Sequence, residues 1–108
     1  MNGLSQAGVI ISNAEEVRNY LIIHPGLASV LPAVCETARR RLGDATQLSL
    51  ELYHDPEIDY EYLALYARRK DYDTSLLTEL RKIASEHRDQ IDHAGGRLLV
   101  TTDLQPPR

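Results

Sequence analysis

The 108-residue sequence contains no tryptophan, no phenylalanine and a single cysteine, Cys35. Without Trp and Phe, the core has to be built from Leu, Ile, Val and Ala, and the six tyrosines are the only aromatic residues. Tyrosine is enriched at protein interfaces, so these residues are the main candidates for recognition contacts. One cysteine cannot form an internal disulfide, which is typical of a reducing compartment.

Several signals of location and chemistry are also missing. The N-terminal residues have no basic region ahead of a long apolar run, and no stretch approaches the ~20 apolar residues of a membrane span. The net charge of −4 argues against a general phosphate-binding protein. The sequence has no nucleophile elbow, P-loop or GxGxxG motif. We therefore expect a cytoplasmic protein that binds neither a membrane nor nucleic acid and uses no cofactor.

Three segments show helical patterns. Capping signals and acidic residues predict a helix over residues 14–23, which Pro-Gly then interrupts. Apolar residues at spacings of three and four predict a second helix from about Ala28 or Ser29 to Leu42, and Pro32 in the first turn favours Ser29 as N-cap. A third helix is predicted from a cap at Asp73 or Thr74 to about His93.

Residues 47–69 alternate in the period of a β-hairpin. Leucines fill one face of both strands, whereas Tyr53, Tyr62 and Tyr66 share the other. A last strand is predicted over residues 98–102, residues 1–11 form a loosely ordered lead-in, and residues 105–108 form a tail.

These elements predict one α+β domain with the order ααββαβ. The third helix connects the second and last strands as a crossover, which makes those two strands parallel. With the first strand between them, the sheet has three strands, is mainly antiparallel and has the order 2-1-3, with the helices packed on it. Its exposed edges favour dimerisation or docking.

The tyrosine-bearing side of the hairpin allows two interpretations. If all helices cover the leucines, the tyrosines are open to water and form a candidate interface. If the first or second helix covers the tyrosines, they form a second core layer, since sheets with one or two covered faces are both common.

The hairpin loop is acidic, with His54 beside four acidic residues: Asp55, Glu57, Asp59 and Glu61. Hard oxygen ligands of this kind bind Mg²⁺ or Ca²⁺, but the spacing is not that of an EF-hand and Pro56 lies in the middle. Solvated turn residues and contact with a basic partner surface are the alternatives.

Other chemistry-bearing residues have ordinary structural explanations. The arginine-rich triplets 39–41 and 68–70 would form a phosphate patch if they met, although arginines also complement a helix C-terminus. His87 lies on an apolar helical stripe, where a hydrogen-bonded imidazole at the core edge is expected. Cys35 lies on the buried stripe of its helix, which indicates packing.

Three segments together resemble a family of small uncharacterised bacterial α+β proteins. They are YLIIHPGLASVLPAVCETARRRLG, LSLELYHDPEIDYEYLALYAR and GGRLLVTTDLQPP, which cover most of the chain after residue 19. The resemblance implies the same α+β order and no established activity. Because such proteins are often one half of a two-gene pair, it also implies an antitoxin-like, accessory role.

We therefore predict a non-enzymatic protein-binding module, either a homodimer or the small partner of another protein. The predicted contact residues are Tyr53, Tyr62, Tyr66, Asp55, Glu57 and Asp59. The alternative is a small metal-dependent hydrolase or nuclease that uses His54, Asp55, Asp59 or Asp103, and a third is a weak nucleic-acid binder.

Overall fold

The periodicity of the leucines decides which side of the sheet the helices cover. The computed structural model describes residues 8–57 and 60–107, with four helices packed on one side of a four-stranded mixed sheet. The α+β class and the single domain are confirmed. In chain order the elements are β1 (Val9–Ile11), α1 (Ala14–Ile23), α2 (Pro25–Leu42), β2 (Gln47–Asp55), β3 (Tyr60–Arg68), α3 (Thr74–Glu86), α4 (Arg88–His93) and β4 (Leu98–Thr101).

The strand order is β1-β2-β3-β4, with the β2–β3 hairpin at the centre. β2 and β3 are antiparallel, whereas β1 is parallel to β2 and β4 is parallel to β3. The predicted order 2-1-3 is therefore wrong, and the sheet is mixed rather than mainly antiparallel. The crossover through α3 and α4 brings β4 directly beside β3, because β1 occupies the free edge of β2.

β1 is a strand that the sequence analysis assigned to the lead-in. Its three residues are aliphatic and β-branched, a composition that suits strands. Val9 is buried in the core and pairs with Leu48, while Ile10 pairs with Ser49 on the opposite side of the sheet. Residues 1–7 lie outside the described residues.

The first helix has the predicted bounds, but the other helices differ from the prediction. α2 begins at Pro25 instead of at residue 29, because proline is well suited to the first position of a helix. Ser29 therefore lies inside the helix, where its hydroxyl donates to the carbonyl of Pro25, and Pro32 is also internal. The predicted third helix is interrupted at His87, whose backbone departs from helical geometry between α3 and α4.

The core lies between the helices and the leucine side of the sheet. Residues of β2 and β3 that alternate toward the helices are almost fully buried: Leu48, Leu50, Leu63, Leu65 and Ala67. Helix residues such as Val17, Leu31, Leu76 and Ile83 meet them in one cluster. None of the helices in the described ranges is both long and apolar enough to cross a membrane.

The segment after β4 is held at the sheet by tyrosine hydrogen bonds. The Tyr72 hydroxyl donates to the carbonyl of Gln105 and accepts a hydrogen bond from the backbone N–H of Arg69 at 3.2 Å.

Asp73, one of the two predicted caps, caps α3, with its carboxylate accepting from the N–H groups of Ser75 and Leu76.

Candidate functional site

One side of the sheet is not covered by any helix in the described part of the chain. The hairpin register places Tyr53 opposite Tyr62 and Ser49 opposite Tyr66, as predicted for a shared face. We call this surface the tyrosine face. It comprises Ile10, Ser49, Glu51, Tyr53, Tyr60, Tyr62, Ala64, Tyr66, Arg68, Leu99 and Thr101.

Four large side chains at the margins of the tyrosine face are open to water, whereas Ser49, Ala64 and Arg68 are buried. Ile10 is 46% exposed, Tyr53 42%, Tyr60 39% and Leu99 38%, while Tyr62 is half-buried. The sequence allowed the tyrosines to be either open to water or covered by a helix. In the structure no described helix covers them. The helices pack on the leucines instead, because those residues supply the continuous aliphatic surface that a core needs.

Three tyrosines form a cluster at the loop end of the tyrosine face. The ring centroids of Tyr53 and Tyr62 are 5.0 Å apart, and those of Tyr60 and Tyr62 are 6.0 Å apart. The guanidinium of Arg97 lies 5.9 Å from the centroid of Tyr60, and its Nη1 donates to the Tyr60 hydroxyl at 3.1 Å. Such contacts hold amphipathic rings in fixed positions at the surface.

At the opposite end of the tyrosine face, Arg68 is buried between two carboxylates. Only 1% of its side chain is exposed. Its Nη2 donates to Glu51 at 2.9 Å and to Asp103 at 2.8 Å, and its Nε donates to Asp103 at 3.1 Å. The guanidinium carbon also lies 4.9 Å from the ring centroid of Tyr66. We call Arg68, Glu51 and Asp103 the charge cluster.

The charge cluster changes the acidity of its neighbours. Hydrogen bonds from Arg68 lower the pKa of Asp103 below its ordinary value. Burial, followed by the proximity of Tyr62 and the two carboxylates, raises the pKa of Tyr66. Two carboxylates around one guanidinium leave this end with one surplus negative charge. Nη1 of Arg68 has no hydrogen-bond partner in the described residues, so the guanidinium is not saturated.

In the sequence Arg68 stands out only as part of a basic triplet, so its place in the charge cluster was not predicted. The alternation of β3 could have placed Arg68 on the tyrosine face, because it lies on the same side of the strand as Tyr62, Ala64 and Tyr66. Its partners could not be identified, since they lie 17 and 35 residues away in the chain.

The residues of the acidic loop do not converge on one point. Asp55 lies at the rim of the tyrosine face, and its carboxylate accepts the backbone N–H of Glu57 at 3.0 Å. His54 points to the helix side of the sheet and pairs with Glu61 at 3.1 Å. Asp59 lies outside the described residues.

In the described ranges, no residues come together to form the metal site that a metal-dependent hydrolase or nuclease would need. No group of three or more His, Cys, Asp or Glu there could hold a metal ion. Asp103 belongs to the charge cluster, at the opposite end of the sheet from Asp55.

The two basic triplets do meet, at the C-terminal end of α2, but arginines from both form hydrogen bonds to backbone carbonyls there. Arg39 donates to the carbonyl of Thr46 at 2.7 Å, and Arg69 donates to the carbonyl of Leu42 at 3.3 Å. Arg41 forms ion pairs with Glu79 and Glu86. Carbonyls at a helix C-terminus attract cations, which gives these arginines a structural explanation.

His87 and Cys35 are buried side chains with structural environments. The hydroxyl of Thr37 lies 2.8 Å from Nε2 of His87, and Gln90 lies 3.0 Å from Nδ1, so both ring nitrogens are bonded. Burial raises the pKa of Cys35 to about 12, against a smaller opposing effect of Arg39. The thiol is therefore protonated at neutral pH and does not act as a nucleophile.

No protein-family model matches the chain, and comparisons with curated proteins and with solved structures gave no match. The resemblance to small bacterial proteins and the antitoxin-like role that it implies therefore stay predictions. Inference about function has to start from the tyrosine face.

Proposed function

We propose that the chain is a non-enzymatic protein-binding module that pairs with a second copy through the tyrosine face. The observation that supports this proposal is the exposure of Ile10, Tyr53, Tyr60 and Leu99 on one uncovered sheet face. An antiparallel hairpin with one solvated face normally presents polar residues there. A contiguous surface of large apolar and aromatic side chains marks an interaction site instead.

The composition of the tyrosine face fits a protein interface. It contains four tyrosines and no lysine, and aromatic residues and arginine are enriched in interface cores while lysine is depleted. Arg68 is only 1% exposed, so it offers almost no contact surface and serves to hold Glu51 and Asp103 in place. The exposed tyrosines are of a residue type that often dominates binding energy.

A two-fold axis favours a second copy as the occupant, because it lays the same exposed apolar and aromatic side chains of two tyrosine faces against each other. Charge does not decide the occupant, since Arg97 at the loop end is offset by Asp55 and Glu57. Asp55 stands at the rim of the loop end, where it bonds to the backbone of the loop.

The size of the tyrosine face predicts a weak dimer. β2 and β3 have nine residues each, whereas β1 has three and β4 has four. At ~3.3 Å per residue and ~4.8 Å between strands, the planar area is about 400 Å² per copy. The contact falls below the standard interface of about 800 Å² per partner, so we expect a dissociation constant in the micromolar range.

The test is to replace Tyr53 and Tyr60 with serine and to measure molecular mass by sedimentation equilibrium. Both residues are substantially exposed, so the substitutions remove contact surface without opening a core cavity. The wild-type chain should rise from its monomer mass of 12.2 kDa toward twice that value as its concentration increases, and Y53S/Y60S should stay monomeric.

The matched control replaces Ile22 and Leu77, which are 68% and 48% exposed on α1 and α3. I22S/L77S removes exposed apolar surface from the helix side and should dimerise like the wild-type chain. A wild-type chain that stays monomeric up to about 1 mM would overturn self-association. Dimerisation of Y53S/Y60S with unchanged affinity would move the interface away from the tyrosine face.

A further inference from the structure

A cleft of about 280 Å³ opens on the helix side of the sheet, between α1 and the loop end of the hairpin. It exists because the nine-residue strands extend beyond the helices that cover their other half. Leu52 is consequently only half-buried, although it occupies a position that faces the helices. The cleft is lined by Glu16, Asn19, Tyr20 and Ile23 of α1 and by Leu52, His54 and Glu61 of the hairpin.

The lining of the cleft combines an apolar floor with two carboxylates. Ile23 is 71% exposed, and Leu52 and Tyr20 contribute further apolar surface. Glu61 pairs with His54 at 3.1 Å. Within the described ranges, no lysine or arginine forms an ion pair with Glu16 or Glu61.

A second hollow adjoins the cleft and shares Tyr20 and Glu61 with it. It is also lined by His24, Tyr60, Gly96 and Arg97. Gly96 forms a tight wall there, because a Cβ at this position would lie 2.8 Å from the ring of His24.

We propose that this cleft binds a basic segment of a partner protein, with an arginine or lysine side chain between Glu16 and Glu61. The aliphatic stem of such a side chain packs on Ile23 and Leu52, while its charged head bonds to the carboxylates. Charge complementarity selects a cationic occupant, because Glu16 and Glu61 are both exposed in the cleft and its lining includes no lysine or arginine among the described residues. Arg97, the cation of the second hollow, is already bonded to Tyr60.

The cleft and the tyrosine face lie on opposite sides of the hairpin, so this proposal does not depend on the dimer. The probe is a fluorescein-labelled synthetic peptide, Gly-Ala-Arg-Leu-Arg-Ala-Gly, titrated with the protein and followed by anisotropy. The reference peptide has glutamine in place of both arginines. We expect the arginine peptide to bind with a micromolar dissociation constant and the glutamine peptide to bind at least about tenfold more weakly.

The deciding variants are E16Q/E61Q in the cleft and E15Q/E36Q outside it, which change the net charge equally. All four glutamates are exposed, so both variants should keep the wild-type circular dichroism spectrum. E16Q/E61Q should lose about tenfold in affinity for the arginine peptide, whereas E15Q/E36Q should stay within about twofold.

Equal losses in the two variants would show general charge attraction and would overturn the cleft as the site. The absence of binding up to about 1 mM protein would overturn the proposal as a whole. I10S/Y53S, which removes exposed side chains of the tyrosine face that line neither hollow, should bind the peptide like the wild-type chain, so failure of the dimer and failure of the cleft are distinguishable.

Discussion

Replacement of Asp103 by asparagine tests whether the charge cluster stabilises the fold. Asp103 accepts hydrogen bonds from Nε and Nη2 of Arg68 at 3.1 and 2.8 Å, and 27% of its side chain is exposed. Hydrogen bonds to charged groups contribute about 1.5–3 kcal/mol each. Partial exposure and the remaining contact with Glu51 reduce the cost, so we expect D103N to lower the free energy of unfolding by about 1–2 kcal/mol at pH 7.

The pH dependence gives this prediction a definite sign. Arg68 lowers the pKa of Asp103 in the folded state, so the stabilisation is fully present above the unfolded pKa of about 3.9. It is lost as the pH falls through the lower, folded pKa. Urea unfolding should therefore show the full difference between D103N and the wild-type chain at pH 7, and a smaller difference toward pH 2.

The control for D103N is D44N, in an exposed turn. It removes the same charge and should leave the free energy of unfolding nearly unchanged. If D103N and D44N unfold alike at pH 7, the contact with Arg68 contributes no stability. If the cost of D103N is constant down to pH 2, an ionised carboxylate is not its cause.

Two further predictions concern a buried thiol and a tight loop. Burial raises the pKa of Cys35 to about 12, so the native thiol should react with Ellman's reagent at pH 8 only as fast as the protein unfolds. Rapid labelling of the folded chain would contradict the burial of Cys35. Gly95 and Gly96 both have positive φ, but an added Cβ meets nothing at Gly95 and lies 2.8 Å from the His24 ring at Gly96. G95A should cost about 1–2 kcal/mol for its backbone, and G96A should cost about 1–3 kcal/mol more in thermal unfolding. Equal melting temperatures for the two variants would mean that His24 moves aside freely.

Local patterns in the sequence predicted the central elements of the fold. The period of two over residues 47–69 identified the hairpin, and the predicted bounds of α1 are the observed ones, although the side chain of Asn13 makes no cap hydrogen bond. The strand order was not predictable in the same way, since it depends on which hairpin edge the last strand joins. β1 was missed because three residues are too few for a periodic signal, although β1 decides that edge.

The candidate site was predictable only where the signal was local. Alternation placed Tyr53, Tyr62 and Tyr66 on one face, but whether helices cover that face depends on the packing of distant segments. The bonds of Arg68 to Glu51 and Asp103 join three separate parts of the chain. The cleft was equally hidden, because it results from strands that are longer than the layer of helices above them.

The loop end of the hairpin carries both proposed surfaces, one on each side of a single strand pair. In the described residues, Tyr53–Asp55 pair only with Tyr60–Tyr62, because β1 and β4 stop short of them. The sheet is therefore only two strands wide at this end. The side chain of Tyr53 lies on one side of it and that of His54 on the other. Successive side chains of one strand therefore serve different surfaces, so a substitution at Tyr53 changes the tyrosine face and a substitution at the next residue, His54, changes the cleft.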